Sequence, residues 1–136
     1  MMMNHVIGAA ARPVVVLIGA SLLIAASGPR ALAPAIGGLW QVSGKANGEG
    51  ARSACVAAPV ELAQWEHRGG RCTSVVIADR GNKATVHYTC AGGGFGQSEM
   101  TLVTPRTLRI ATQGISRGQP FNYVLHARRS RGCASR

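Results

Sequence analysis

RCTSVVIADRGNKATVHYTC, residues 71–90, is the stretch that decides the fold, because two runs of β-branched and aromatic residues flank a short polar segment rich in turn formers. A hairpin centred on Gly81 places residues whose numbers sum to 162 opposite each other. The predicted pairs are Cys72 with Cys90, Ser74 with Tyr88, Val76 with Val86 and Ala78 with Ala84 on one face, and Val75 with His87 and Ile77 with Thr85 on the other.

The register of this hairpin also predicts the disulfide pairing. Directly opposed strand residues bring their Cβ atoms to ~4.5–5.5 Å, close enough for a disulfide after a small local adjustment. Cys72 is therefore expected to bond Cys90, which leaves Cys55 for Cys133. A four-cysteine zinc site is the alternative, but zinc ribbons bring their cysteines in close pairs, and here the gaps are 17, 18 and 43 positions.

Outside the hairpin, short alternating segments bounded by glycine and proline predict further strands. They lie at residues 37–44, 98–103, 108–112 and 121–127, residues 45–53 are expected to form a loop, and residues 59–68 are expected to form a short helix or helical turn. The pattern indicates an all-β domain, mainly an antiparallel meander of about six strands in a partly closed barrel or half-barrel, with one short helix and two disulfides.

The glycine run at residues 91–96 follows this hairpin directly. A phosphate-binding loop is the alternative interpretation, but such a loop needs a helix N-terminus behind it, and the residues after the run alternate like a strand. The glycines are expected to permit a bulge or a tight crossover between strands.

The N-terminal 33 residues resemble a targeting segment. Arg12 is the only fixed charge near the start, and the apolar run at residues 14–26 is too short to span a bilayer comfortably. We predict a signal peptide and short spacer at residues 1–33, with cleavage near the Ala-Ala-Ser of residues 25–27; the alternative site at residues 31–33 would place Pro34 directly after the cut. Residues 34–136 are then one β-rich, disulfide-stapled domain in the periplasm or outside the cell. An uncleaved leader that anchors the chain to the inner membrane is the alternative.

Basic residues dominate the predicted domain. From residue 34 onward thirteen lysines and arginines stand against five acidic residues, a net charge of about +8. Such an excess favours anionic partners, and in the envelope these are anionic lipids or glycans rather than nucleic acid. The expected anion-binding residues are the arginines of the C-terminal third: Arg106, Arg109, Arg117, Arg128, Arg129 and Arg131.

No residue pattern indicates a catalytic centre, a cofactor or a metal. The histidines of the domain, His67, His87 and His126, have no carboxylate or thiolate at a spacing that would complete a site. A non-catalytic envelope protein is therefore expected, with a small hydrolase or metal-dependent enzyme as the alternative. The residues expected to line a ligand pocket are Trp40, Phe95, Phe121 and Tyr123.

Several motifs together resemble a known family. They are the Gly-Leu-Trp-Gln-Val of residues 38–42, the spaced cysteines, the Tyr-Thr-Cys of residues 88–90 before a glycine run, and the closing Gly-Cys of residues 132–133. The sequence is similar to the small exported proteobacterial proteins grouped as a domain of unknown function, number thirty-six seventeen. That resemblance implies a periplasmic location and a β-rich fold, and it supplies no catalytic residues.

Overall fold

The computed structural model describes residues 8–16, 19 and 28–134. Seven strands form one antiparallel sheet with the order β2-β1-β7-β6-β5-β4-β3, and two 3-10 helices, η1 and η2, complete the fold. In chain order the elements are η1 (Arg30–Leu32), β1 (Gly38–Ser43), β2 (Arg52–Val56), η2 (Pro59–His67), β3 (Cys72–Arg80), β4 (Lys83–Cys90), β5 (Phe95–Thr104), β6 (Thr107–Ser116) and β7 (Gln119–Arg131).

The sheet is a half-barrel, as the sequence predicted, with seven strands instead of about six. Its edges, β2 and β3, do not pair with each other, so the barrel stays open between them. Side chains of alternate residues point to the inner face, where η1 and η2 pack over them. The largest fully buried members of this core are Trp40, Tyr88, Leu62, Met100, Leu108 and Ile110.

The β3–β4 hairpin has the predicted register over most of its length. Cys72 lies opposite Cys90 and Val76 opposite Val86. Beyond Val76 the prediction is wrong by one residue, because Ala78 pairs with Thr85 and Asp79 with Ala84 instead of Ala78 with Ala84 and Ile77 with Thr85. The turn is a two-residue turn at Gly81 and Asn82, with Gly81 at a φ of 60°, so the extra residue of β3 is taken up by a bulge near Ile77.

Both predicted disulfides are present. Cys72 and Cys90 join the ends of the hairpin, with their Cα atoms 3.9 Å apart. Cys55, in β2, is joined to Cys133, just beyond β7, with a Cα–Cα distance of 5.8 Å. Because β1 lies between β2 and β7, this second bridge links the two strands that flank it.

Two strands reach further than the sequence indicated. Arg52 and Ser53 fall in the predicted loop, yet they pair with Val42 and Gln41 of β1. The last strand continues from the predicted end at residue 127 to Arg131, because β1 pairs with the arginine-rich end of β7. The glycine run is a turn between β4 and β5, as expected for a connection between strands, and η2 occupies the position of the predicted helix.

The packed part of the chain begins before residue 34, where the predicted domain was expected to begin. Ala31 and Leu32 of η1 are each only 4% exposed and belong to the core. The carboxylate of Asp79 accepts hydrogen bonds from the backbone N–H groups of Arg30 and Ala31 at 2.7 and 2.8 Å, which fixes η1 to the end of β3. Residues 1–7, 17–18 and 20–27 of the predicted leader, with the favoured cleavage site, lie outside the described residues. No helix in the described ranges has the length and apolar character needed to cross a membrane.

Candidate functional site

The acidic side chains of the domain are all occupied by partners other than arginine side chains. Two of them form exposed ion pairs with lysines, and three accept hydrogen bonds from backbone N–H groups or a tyrosine hydroxyl. The pairs are Glu49 with Lys45, Glu99 with Lys83, Asp79 with η1, Glu61 with the N–H of Ala58, and Glu66 with Tyr123. Within residues 28–134 no arginine forms an ion pair, so the arginine charges are left uncompensated.

Five arginines gather where β6 begins and β7 ends. We call this group, Arg106, Arg109, Arg128, Arg129 and Arg131, the arginine end. Arg109 lies beside His126 on the outer face, and Arg128 lies between Thr107 and Gln41. Arg109, Arg128 and Arg131 are exposed. Their spacing on neighbouring strands produces a patch of positive charge at one end of the half-barrel.

Two members of the arginine end are held by main-chain acceptors. The Nη2 of Arg106 donates to the carbonyl oxygens of Arg129 and Ser130 at 3.0 and 3.1 Å. The Nε of Arg129 donates to the carbonyl oxygen of Gly37 at 2.9 Å. These bonds fix the geometry of both guanidinium groups without neutralising their charge.

A cleft of about 490 Å³ adjoins the arginine end, between the loop after β1 and the ends of β6 and β7. Arg128, His126 and Asn47 give it polar groups, and Val103 and Leu108 give it apolar surface. Val103 is 63% exposed. The cleft thus places a cation beside an apolar wall.

Arg117 does not join the other five predicted arginines. It lies in the turn between β6 and β7, at the opposite end of β6 from the arginine end. The ten residues of β6 separate the two ends by about 30 Å. Its φ of 52° is left-handed, which costs a residue with a side chain roughly 1–2 kcal/mol. The predicted set is therefore divided between the two ends of the half-barrel.

The second end holds a pocket of about 790 Å³, which we call the histidine pocket. Arg68 and Arg117 contribute its positive charges, and Glu66, His67 and Phe121 line it as well. Arg68 stacks on the Trp65 ring at 4.4 Å, and its Nη1 donates to the carbonyl oxygen of Trp65 at 2.9 Å. The carboxylate of Glu66 accepts a 2.6 Å hydrogen bond from the Tyr123 hydroxyl. Burial, followed by this hydrogen bond, raises the pKa of Tyr123 above its ordinary value, so the hydroxyl remains a donor.

The imidazole of His67 has one partner and one unsatisfied nitrogen. Its Nδ1 lies 3.0 Å from the Tyr88 hydroxyl. Burial, with a smaller effect from the charge of Glu66, raises the pKa of Tyr88 to about 12, so this phenol keeps its proton. The hydroxyl can donate to Nδ1 or accept from Nδ1–H, and in the first arrangement a neutral imidazole carries its proton on Nε2. Nε2 is buried and, in the described part of the chain, has no hydrogen-bond partner.

Within the described part of the protein, no single cavity is lined by all four aromatic residues predicted to share a pocket. Trp40 is fully buried in the core, where its Nε1 donates to the carbonyl oxygen of Ile36. Tyr123 and Phe121 lie on the inner face near the histidine pocket, with their rings 5.7 Å apart. Phe95 is 42% exposed, lies beside His87, and lines a separate cavity of about 450 Å³ together with Phe121.

The remaining histidines do not converge on a catalytic or metal-binding arrangement. His87 lies in β4 and His126 in β7, with β5 and β6 between them. Among the residues that the structure describes, no three histidine, cysteine or acidic side chains are grouped closely enough to hold a metal ion.

Sequence reasoning missed His67, Arg68 and Tyr88 as a group because η2 brings the first two across the inner face to meet β4. A local signal was present in the glycines. Gly96 lies opposite Tyr88, and a Cβ at position 96 would come within 2.6 Å of the tyrosine Cζ. Glycine at this position makes room for the tyrosine that holds His67.

Comparisons with protein-family models, curated proteins and solved structures find no match to this chain.

Proposed function

We propose that the chain is an exported, non-catalytic envelope protein that binds an anionic component of the cell envelope at the arginine end. The observation that carries this proposal is that the five arginines have no carboxylate partner in the described residues, although every acidic side chain of the domain is occupied. An excess of fixed charge confined to one end is suited to an anionic surface.

Anionic lipid headgroups fit this end better than glycans do. Guanidinium groups bind phosphate oxygens through paired N–H donors, and Arg106 and Arg129 are already ordered by carbonyl acceptors, which lowers the entropy lost on binding. Val103 and Leu108 line the adjoining cleft, where part of an acyl chain can be covered. A lipid supplies both the phosphate and the apolar group.

An oxidising compartment is supported by the disulfides. Both bridges close with no free cysteine left among the described residues, and such bonds persist outside the reducing cytosol. The apolar leader supports export independently of the disulfides. Because η1 belongs to the packed domain, we place the cleavage near residues 25–27 and not at residues 31–33.

Co-sedimentation with vesicles tests the lipid proposal. Arg109, Arg128 and Arg131 are exposed, and replacing all three by glutamine should weaken binding to phosphatidylglycerol vesicles about 100-fold, at about 1 kcal/mol for each arginine near an anionic surface. A matched variant with glutamine at Arg30, Arg71 and Arg80 removes the same charge from exposed sites outside the arginine end.

The two variants separate a specific surface from a general charge effect. Binding should weaken with added salt and be absent with phosphatidylcholine vesicles. Equal losses in both triple variants, or binding that salt does not weaken, would contradict the assignment to the arginine end. If a soluble anionic glycan competes for the protein more strongly than lipid does, the ligand of the arginine end is a glycan and not a lipid.

A further inference from the structure

We propose that the histidine pocket is a second site, which binds a small organic anion: a phosphate ester or carboxylate attached to an apolar group. The site is independent of the arginine end, which lies at the other end of β6. Its positive charges come from Arg68 and Arg117, and the proposal takes His67 in the tautomer protonated at Nε2, whose N–H is then a buried donor without a partner in the described residues.

The electrostatics of the pocket favour an anion. Arg68 and Arg117 bring two positive charges to the lining, and neither forms an ion pair in the described part of the molecule. The one carboxylate of the lining, Glu66, is directed to the hydroxyl of Tyr123. The pocket therefore retains a net positive charge and guanidinium donors that suit an oxyanion.

Arg117 is held in a backbone conformation that disfavours most side-chain-bearing residues. It precedes Gly118 in the two-residue turn between β6 and β7, and both have positive φ angles, 52° and 75°. Asparagine, aspartate or glycine is the usual choice at such a position. An arginine at this position, lining a pocket, points to a use for its charge.

His67 adds a donor that the protein itself leaves unsatisfied. Nε2 packs against Gly94, and a Cβ at position 94 would lie only 2.7 Å from the Cδ2 of His67. Gly94 belongs to the turn between β4 and β5, in which Gly92 and Gly93 have positive φ angles, and this turn lines the same pocket. In the proposed complex this turn is displaced, so that the buried Nε2–H meets an oxygen of the ligand, which supplies the missing acceptor.

The apolar part of the ligand is accommodated by the other wall. Phe121 and Pro120 line the pocket on the β7 side, and the Phe121 ring stands 5.8 Å from the imidazole of His67. An aromatic or short aliphatic group can stack there while its phosphate or carboxylate meets the arginines. We therefore expect phenyl phosphate to bind better than inorganic phosphate, and neutral benzyl alcohol not to bind.

The test is an NMR titration of the isotopically labelled, oxidised protein with phenyl phosphate, benzoate, inorganic phosphate and benzyl alcohol. The expected result is a saturable shift of His67 ring and Phe121 signals with phenyl phosphate or benzoate, with the ring proton on Nε2. The two ligands distinguish a phosphate site from a carboxylate site. Absence of saturable shifts with both anions, or shifts confined to the arginine end, would overturn the proposal.

Variants keep the test separate from protein folding and from the lipid proposal. Arg117→Asn removes the charge but suits the turn, so the fold should persist and the affinity should fall about tenfold. Arg109→Gln removes the same charge at the other end and should leave the affinity unchanged. Equal affinities for these two variants would refute the role of Arg117. Vesicle binding should be unaffected by Arg117→Asn, so either proposal can fail without the other.

Discussion

Removal of the two disulfides one at a time should destabilise the protein by unequal amounts. Cys55 and Cys133 are 78 residues apart, whereas Cys72 and Cys90 are 18 apart. If a disulfide acts mainly by restricting the unfolded chain, the longer loop contributes about 4 to 5 kcal/mol and the shorter one about 3 kcal/mol. The Cys55→Ser/Cys133→Ser variant should therefore lose about 1 kcal/mol or more in addition to the loss of Cys72→Ser/Cys90→Ser.

Urea unfolding followed by tryptophan fluorescence measures this difference, because Trp40 and Trp65 are both buried. Paired serine substitutions avoid leaving a free thiol. Hydrogen exchange provides a second measurement. Without Cys72 and Cys90 the amides at the start of β3 should exchange faster, since the side chains of β3 after Cys72 are all exposed and this end of the strand is then held by the ladder to β4. A larger loss from removing the shorter bridge would refute the chain-entropy reasoning.

Other perturbations test the inner face and the N-terminal boundary. Because burial raises the pKa of Tyr88 to about 12, the tyrosinate absorbance of the folded protein should not rise near pH 10. The free energy of unfolding should decrease between pH 10 and about 12, since the unfolded phenol ionises in this range while the folded one keeps its proton. An ordinary titration near pH 10 would show that the phenols are solvated. Gly96→Ala should cost about 1–3 kcal/mol in urea unfolding by displacing Tyr88, whereas Gly44→Ala, with open space around it, should cost much less; equal losses would contradict the packing. Asp79→Ala should cost about 1 kcal/mol in the same assay by freeing the N–H groups of η1, and an unchanged midpoint would show that this contact is dispensable. N-terminal sequencing of the exported protein should find a start before Arg30, and a start at residue 34 would disagree with the burial of η1.

The β3–β4 hairpin was predictable because its determinants are local. A single chain segment contains both strands, the turn residues and two cysteines, so register and disulfide follow together. The prediction was wrong at Ile77 and Ala78 because of the turn. The predicted pair of Ala78 with Ala84 leaves five residues, 79–83, for the turn, whereas two residues form it and the bulge in β3 takes up the difference.

The pairing of strands that are distant in sequence was harder to predict. Arg52 and Ser53 carry no apolar alternation, and they form a strand because β1 offers its free edge. The arginines at the end of β7 have no strand-like pattern of their own, and they belong to the strand because Leu39 and Trp40 of β1 pair with them. The histidine pocket depends on the path of η2 over the inner face, which no spacing in the sequence encodes.

The nesting of the two bridges governs how the chain can mature. Cys72 and Cys90 lie inside the loop closed by Cys55 and Cys133. A chain that emerges N-terminus first presents Cys55 together with Cys72 before the correct partner of either is available. Oxidation in order of emergence therefore joins the wrong thiols, and exchange must correct them. The pairing of β1 with β7 also cannot form until β7, the last strand to be synthesised, is available. Correct maturation is thus a matter of timing between the arrival of the C-terminus and the oxidation of the first cysteines.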